Sequence, residues 1–190
     1  EIDSMPAIWL EVGKGNSKML FCFLYREWKM LKVPNSSKLP RQIERWKEFI
    51  DIWSKQLDTG KETHVIGDYN LDYNRWQQIT GITNQNQPMV DLVMNEIVPK
   101  RVVQLVDEIT RVQGKQQSML DLVMTNRPGK LKRPVFSDLT KSDHRTLHLT
   151  RTTKGSIGNK QIVKRNIKDV DWKDVNKMLW DLDLRHLTRE

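Results

Sequence analysis

Two apolar segments near the start of the chain predict its first elements. Residues 7–12 read AIWLEV and residues 18–25 read KMLFCFLY, and both have the apolar and aromatic character of strands. The connector between them, residues 13–17 with the sequence GKGNS, is rich in turn-forming residues. The pattern therefore predicts a hairpin of two strands.

The next apolar pattern has the period of a helix. After a predicted loop at residues 34–37, Pro40 suits the first turn of a helix and Gly60 suits its C-terminal stop. The apolar residues on the predicted inner face are Ile43, Trp46, Phe49, Ile50, Trp53 and Leu57.

Shorter apolar runs follow, separated by polar segments. They predict a strand at residues 63–66, a helix at 88–97, and strands at 101–106, 118–124, 135–136 and 146–150. Residues 152–158 have linker composition, and Asp169 or Asp171 is a candidate cap for a last helix. The order predicts a mixed α/β (α+β) layered structure with some antiparallel pairing, divided into a domain of residues 1–151 and a tail of residues 152–190.

Composition narrows the class of protein. The 190 residues, of which 37% are hydrophobic and 29% charged, predict one globular domain with a short appendage. We find neither an apolar run of the roughly 18–20 residues that a membrane span needs nor a signal-peptide pattern, which predicts an intracellular protein of the nucleus or cytoplasm that is not secreted. Since the chain does not begin with Met, we expect it to start inside a longer protein. The single cysteine, Cys22, excludes an internal disulfide framework and a cysteine-rich zinc site.

The net charge changes the expected partner. A charge of +8 favours a polyanion such as nucleic acid, with an anionic membrane surface as the lesser option. Two basic stretches, residues 130–133 with Lys130, Lys132 and Arg133, and residues 160–165, are candidate contacts for nucleic acid; a solvated charged loop explains them about equally well.

Four short segments place reactive side chains in or after predicted strands. The segments are Tyr25-Arg26, residues 67–70 (GDYN), residues 118–121 (SMLD) and residues 142–144 (SDH). Taken singly, each has a structural explanation: an Asx-type turn, a solvated strand residue, a surface pair, an edge aromatic or an ion-pair partner.

Taken together, the four segments carry the parts that phosphodiester hydrolysis needs. The reaction requires a positioned water, a base and positive charge on the phosphate oxygens. Asp68 is a candidate base, and Asn70, two residues along the same predicted strand, is expected on the same face. Asp121 and His144 are a candidate carboxylate–imidazolium pair, and Asp143 is an oxygen donor suited to Mg²⁺.

The order LYR, GDYN, SMLD, SDH resembles the endonuclease/exonuclease/phosphatase superfamily, which has the DNase-I-like fold, and most of all the endonuclease domains of non-LTR retrotransposons. The resemblance covers nearly the whole chain, and the tail KRNIKDVDWKDVNKMLW is similar to the connector that follows the nuclease in those polyproteins. It implies a two-sheet β-sandwich flanked by helices, of which this chain would be an incomplete C-terminal portion. The uncovered inner face of such a half-sandwich would be apolar.

The resemblance also implies a role for each site residue. Asp68 would be the general base and Asn70 its partner at the scissile phosphate, which Tyr25 would contact. Asp121 would orient His144, and His144 would stabilise the developing charge. Asp143 would help to bind the metal, Mg²⁺ or Mn²⁺, or the water, with Asp68 and Asn70 as further candidate ligands. Arg26 and Asn70 would face DNA.

The resemblance has one departure and leaves alternatives open. The family's first half supplies an Asn and a Gln-Glu strand with the principal metal ligand, and neither precedes Ile8 here. The leading hypothesis is a metal-dependent DNA endonuclease, inactive if the chain is a fragment, with a missing N-terminal half or a fused reverse transcriptase as partners. The alternatives are a non-catalytic nucleic-acid-binding remnant and a phosphatase of the same superfamily.

Overall fold

The computed structural model describes residues 4–15, 18–27, 35–76, 86–138 and 142–152. The chain divides after Thr153, and every described residue lies in the first unit. The strands are β1 Ala7–Val12, β2 Met19–Tyr25, β3 Glu62–Asp68, β4 Val103–Gln104, β5 Arg111–Gln113, β6 Gln116–Ser118, β7 Asp121–Thr125, β8 Val135–Ser137 and β9 Thr146–His148. The helices are α1 Asn35–Asp58 and α2 Gln87–Leu92; α2 continues as a π-helical turn, Val93–Ile97, and a 3₁₀ turn, Val98–Lys100.

A five-stranded mixed sheet forms the centre, in the order β1-β2-β3-β7-β4. The β2–β3 pair is parallel and its connection contains α1, as a parallel pair requires, whereas the other neighbours are antiparallel. Two further pairs, β5–β6 and β8–β9, are antiparallel ribbons. The predicted mixed α/β class is confirmed.

The two faces of β1 and β2 differ sharply in burial. On one face Trp9 stacks on Phe49 of α1 with ring centroids 6.1 Å apart, and Trp46 and Trp53 of α1 are buried in the same core. Side chains alternate along a strand, so the neighbours of Trp9 point away from this core. The opposite face keeps large apolar side chains exposed: Ile8 (70%), Leu10 (50%), Val12 (39%), Phe23 (49%) and Tyr25 (52%). The described residues thus leave one apolar sheet face open.

Helix α1 begins earlier than predicted. It starts at Asn35, so the predicted loop at residues 34–37 is wrong from that residue onward, and Pro40 lies inside the helix. A proline there removes one N–H bond from the ladder, to the carbonyl of Ser36. A single lost bond near the start of a 24-residue helix does not break it. No helix in the described part of the chain is long and apolar enough to cross a bilayer.

Two of the later predicted strands are shortened or divided, and one ribbon was not predicted. The run at 101–106 pairs only over Val103–Gln104, and the run at 118–124 is interrupted at residues 119–120 between β6 and β7. The β5–β6 ribbon was not predicted because its residues, RVQ and QQS, are mostly polar. The predicted last helix lies outside the described residues.

Candidate active site

Gly67 allows β2 and β3 to approach closely near their C-terminal ends. Its φ is +150°, and a Cβ atom built there would lie 1.8 Å from the carbonyl oxygen of Leu24 on β2. No other residue type avoids this clash. The glycine therefore permits the register that sets Asp68 beside Tyr25 at the ends of β3 and β2.

The turn after β3 holds the carboxylate of Asp68. Asn70 donates its backbone N–H to Asp68 Oδ1 (2.8 Å) and its side-chain amide to Asp68 Oδ2 (3.1 Å). Asn70 has φ +46°, a left-handed conformation that asparagine tolerates. The predicted placement of both side chains on one strand face is wrong, because β3 ends at Asp68 and the Asn70 amide folds back. The Asx turn is present, and it orients the carboxylate.

Asp121 and His144 form the predicted carboxylate–imidazole pair. Asp121 begins β7 and lies opposite Asp68 in the antiparallel register. The Nδ1 atom of His144 is 2.9 Å from Asp121 Oδ2. Thr110 supports this end of β7, since its Oγ1 accepts the N–H groups of Leu120 and Asp121, each at 3.0 Å. The backbone of His144 forms an isolated antiparallel β-bridge with that of Arg111 in β5, and this pairing brings the segment of His144 to the site.

These groups converge on one cavity. Single ligand atoms from Asp68, Asp121 and His144 all lie within 4.8 Å of one another. The adjoining cavity has a volume of about 600 Å³, and Tyr25, Asp68, Asn70 and His144 line it. Burial raises the pKa of Asp68, and the neighbouring Asp121 charge adds to this, while the Asn70 N–H, His144 and Arg26 oppose it. The site thus contains the Asp68 carboxylate, whose pKa is raised, beside the His144 imidazole, which is hydrogen-bonded to Asp121.

The side chains of Asp68, Asp121 and His144 are suited to a divalent cation. Two carboxylates and an imidazole within reach of one point can hold such an ion, and carboxylate oxygens suit Mg²⁺ or Mn²⁺. Because Mg²⁺ prefers oxygen ligands to an imidazole nitrogen, the carboxylates of Asp68 and Asp121 are the better donors. The donor set therefore fits the expected metal.

Asp143 lies outside this cluster. Arg111 Nε donates to Asp143 Oδ2 at 2.7 Å, and this bond holds the pKa of Asp143 below its usual value. The backbone carbonyl of Asp143 accepts the N–H of Val112. Among the described residues, the group that could hold a metal does not include Asp143, so the ligand role predicted for it is not supported by its position.

The residues predicted to contact nucleic acid are placed differently from the expectation. Arg26 is only 1% exposed, because its guanidinium donates to backbone carbonyls in the interior, and the prediction that it faces DNA is wrong for this structure. Lys130, Lys132 and Arg133 follow the far end of β7 from Asp121, and Arg133 forms an ion pair with Asp107. A contact of these three with DNA stays a prediction, with a location away from the cavity.

Several cavity residues escaped the sequence analysis. Arg111, Gln113 and Gln116 line it from the β5–β6 ribbon, and Asp72 and Arg75 line it from the segment after β3. The ribbon carries Gly114 with φ +60° at the first turn position, where a type II′ turn favours glycine. Gly114 could have indicated the β5–β6 hairpin in the sequence. Asp72, as a potential N-cap, could have indicated the 3₁₀ turn Tyr73–Arg75.

Comparison with known proteins gives a similarity at the level of structure. No family model matches the chain, and no curated protein matches it. Among solved structures, 26 chains match. One is the endonuclease domain of TRAS1, a telomere-specific non-LTR retrotransposon, with a TM-score of 0.47 and 16% identity over 75% of this chain. The match spans 60% of the length of that domain, so this chain is similar to a retrotransposon endonuclease domain over part of its extent.

Proposed function

We propose that the chain is a metal-dependent phosphodiesterase that nicks DNA, with its chemistry in residues 1–151. One observation carries the proposal: Asp68 and the Asp121–His144 pair come from distant parts of the sequence and meet at one cavity. Reactive groups that converge in this way, with a perturbed pKa among them, are characteristic of catalytic sites.

Asp68 is the general base in this proposal. Burial raises its pKa, so it holds a proton from the attacking water more firmly than an ordinary aspartate would. Both of its oxygens accept hydrogen bonds from Asn70, which restrict its rotamer. The base therefore enters the reaction already oriented.

His144 stabilises charge on the phosphate. With Nδ1 bonded to the Asp121 carboxylate, the imidazole is held in one orientation and its Nε2 atom is left for the substrate. In its charged form the ring would place positive charge where the phosphate oxygens become more negative. Tyr25, half exposed at the same rim, is a further contact for the phosphate.

A divalent cation is the implied cofactor. With Asp68 assigned as the base, Asp121 would be the carboxylate that holds Mg²⁺ or Mn²⁺, and the ion would supply Lewis-acid charge to a phosphate oxygen. DNA is the substrate that suits a chain with a net charge of +8.

The experiment is relaxation of supercoiled plasmid by the purified chain with MgCl₂ or MnCl₂. We expect nicking that EDTA abolishes and that Asp68→Asn and His144→Gln each remove. Asp91→Asn and His148→Gln are matched controls, since the Asp91 carboxylate accepts a hydrogen bond from Gln87 on α2, and His148 is bonded to Ser137 on the β8–β9 ribbon. Both controls should nick at the parental rate.

Two other outcomes would replace the proposal. A chain that binds DNA with steep salt dependence, does not nick with any divalent metal, and is indifferent to His144→Gln is a non-catalytic binding module. A chain that releases phosphate from a soluble inositol phosphate but leaves plasmid intact is a phosphatase.

A further inference from the structure

Arg26 is an arginine buried at the base of the candidate site. It follows β2 directly, and it is 1% exposed. Its Nε donates to the carbonyl of Tyr69 (2.6 Å) and its Nη2 to the carbonyl of Asn70 (2.7 Å). Its own backbone is tied to the same turn: its N–H donates to the carbonyl of Asp68 (2.9 Å), and its carbonyl accepts the side-chain amide of Asn70 (2.7 Å). One residue thus contacts three consecutive residues of the turn.

The turn needs such a partner for a physical reason. Once β3 ends, the carbonyls of Tyr69 and Asn70 leave the sheet ladder but stay inside the protein, where an unpaired carbonyl is costly. A guanidinium is planar and offers several donors in a fixed fork, so one side chain can satisfy two neighbouring carbonyls at once. A lysine ammonium is a compact point charge and cannot reproduce this geometry.

The charge of Arg26 makes a purely stabilising role a poor explanation. An arginine guanidinium stays protonated in proteins, and that of Arg26 is held in an interior that disfavours charge, at 1% exposure. Well-packed apolar side chains stabilise an interior at least as well as buried charges do. The contacts of this buried charge concentrate on the residues that orient Asp68.

The same guanidinium also joins the turn to both helices. Its Nη1 donates to Gln42 Oε1 of α1 at 3.2 Å and lies 3.7 Å from the sulfur of Met89 in α2. Arg26 therefore links the turn at residues 68–70 to the helical layer. The backbone carbonyl of Arg26, which accepts the side-chain amide of Asn70, belongs to a residue whose side chain is bonded to both helices.

We propose that Arg26 is the positioning residue of the site: it holds the Asp68–Asn70 turn in the shape that aims the Asp68 carboxylate, without touching the substrate. The role of Asp68 rests on the proposed function, whereas the hold of Arg26 on the turn does not. The buried charge exists to fix the base.

The first experiment measures the turn itself and needs no activity. In Arg26→Lys, hydrogen exchange at the backbone N–H of Asn70, which donates to Asp68 Oδ1, should become at least about 10-fold faster. Backbone N–H groups in the middle of β3 should keep their protection. Arg45→Lys is the matched control: Arg45 is also a buried arginine that donates to a backbone carbonyl, that of Ser4, and it pairs with Glu27. Its substitution should leave exchange at Asn70 unchanged.

The second experiment separates positioning from binding. We expect Arg26→Lys to lower kcat for nicking by roughly 10- to 100-fold with KM within about 2-fold, because a small displacement of a catalytic group has an effect of this size. Free guanidinium ion, below denaturing concentrations, should restore part of the rate to Arg26→Ala but not to Asp68→Asn.

The outcomes are distinguishable. Unchanged exchange at Asn70 in Arg26→Lys, or an equal loss of protection throughout β3, would overturn the proposal whether or not the chain nicks DNA. If the parent chain never nicks but exchange at Asn70 accelerates selectively, the positioning role stands and the nuclease function fails.

Discussion

Two carboxylate–imidazole pairs occupy opposite ends of the central sheet, with nearly the same local geometry. At one end His144 Nδ1 lies 2.9 Å from Asp121 Oδ2, and at the other His64 Nε2 lies 2.9 Å from Glu62 Oε1. The His144 side chain is 29% exposed at the cavity, whereas that of His64 is 0% exposed. The two pairs have the same kinds of side chain, but they differ in solvent exposure.

The buried pair is closed on every side by partners. The second ring nitrogen of His64 is 2.9 Å from Thr125 Oγ1, and Glu62 accepts two bonds from Arg151 (2.7 and 2.9 Å). Arg151 holds the pKa of Glu62 at about 2, and burial lowers the pKa of His64. A pair whose polar atoms are all committed to protein partners can only support structure. In the Asp121–His144 pair, the imidazole of His144 lines the cavity, and this exposure is what allows the proposed chemical role.

The sharpest test of this difference exchanges one histidine at a time. His144→Gln should reduce kcat for nicking by roughly 10²- to 10⁴-fold, the contribution of a positioned acid–base group, with little change in stability. His64→Gln should keep kcat within about 3-fold but lower the free energy of unfolding by about 1–3 kcal/mol, because buried bonds are lost. Plasmid nicking and urea unfolding measure the two quantities. Equal loss of activity in both variants would contradict the distinction.

Gly67→Ala should damage both ends together, since β3 carries Glu62 at its start and Asp68 at its end. The new methyl would overlap the carbonyl of Leu24, and we expect a loss of at least about 4 kcal/mol, in the range of severe core substitutions. Gly60→Ala is the matched control: φ there is +72° but no atom lies within 4 Å of the added Cβ. It should cost about 1 kcal/mol, measured by urea unfolding. Equal losses would show that the close approach of β2 is not the cause.

The buried end should also govern stability in acid. The folded pKa of Glu62 is lowered from 4.5 to about 2, so its ion pair contributes fully above pH 4.5 and is lost as the pH falls toward 2. We expect roughly 2–3 kcal/mol of acid-dependent stability from this shift. Arg151→Met should flatten that part of the profile, measured by thermal unfolding from pH 2 to 6. A profile with the parental slope would assign the acid dependence to other carboxylates.

The smallest effect is expected at Asp143. Its carboxylate pairs with Arg111 near the surface, and such solvent-screened pairs contribute little. Asp143→Asn should therefore slow nicking by no more than about 5-fold and leave the metal concentration for half-maximal activity unchanged. A large shift in that concentration would restore the metal-ligand role that the sequence predicted.

Much of the fold follows from local patterns that the chain carries in its sequence. The helical period of Trp46, Phe49 and Trp53 predicted α1, and the apolar runs predicted β1 and β2 with nearly their observed bounds. These predictions work because burial of one face repeats with the period of the element. The start of α1 and the polar β5–β6 ribbon were missed, since a tolerated proline and a solvated hairpin leave no apolar period.

For the site, the sequence by itself determined which side chains are present and that Asp68 lies at the end of an apolar strand. Only the tertiary structure decided that Asp68 lies beside the Asp121–His144 pair, that Asp143 turns to Arg111, and that Arg26 is buried beneath the turn. The physical reason is that periodicity reports which face of an element is buried, whereas the partner of a polar side chain depends on strand register and on residues far away in the chain.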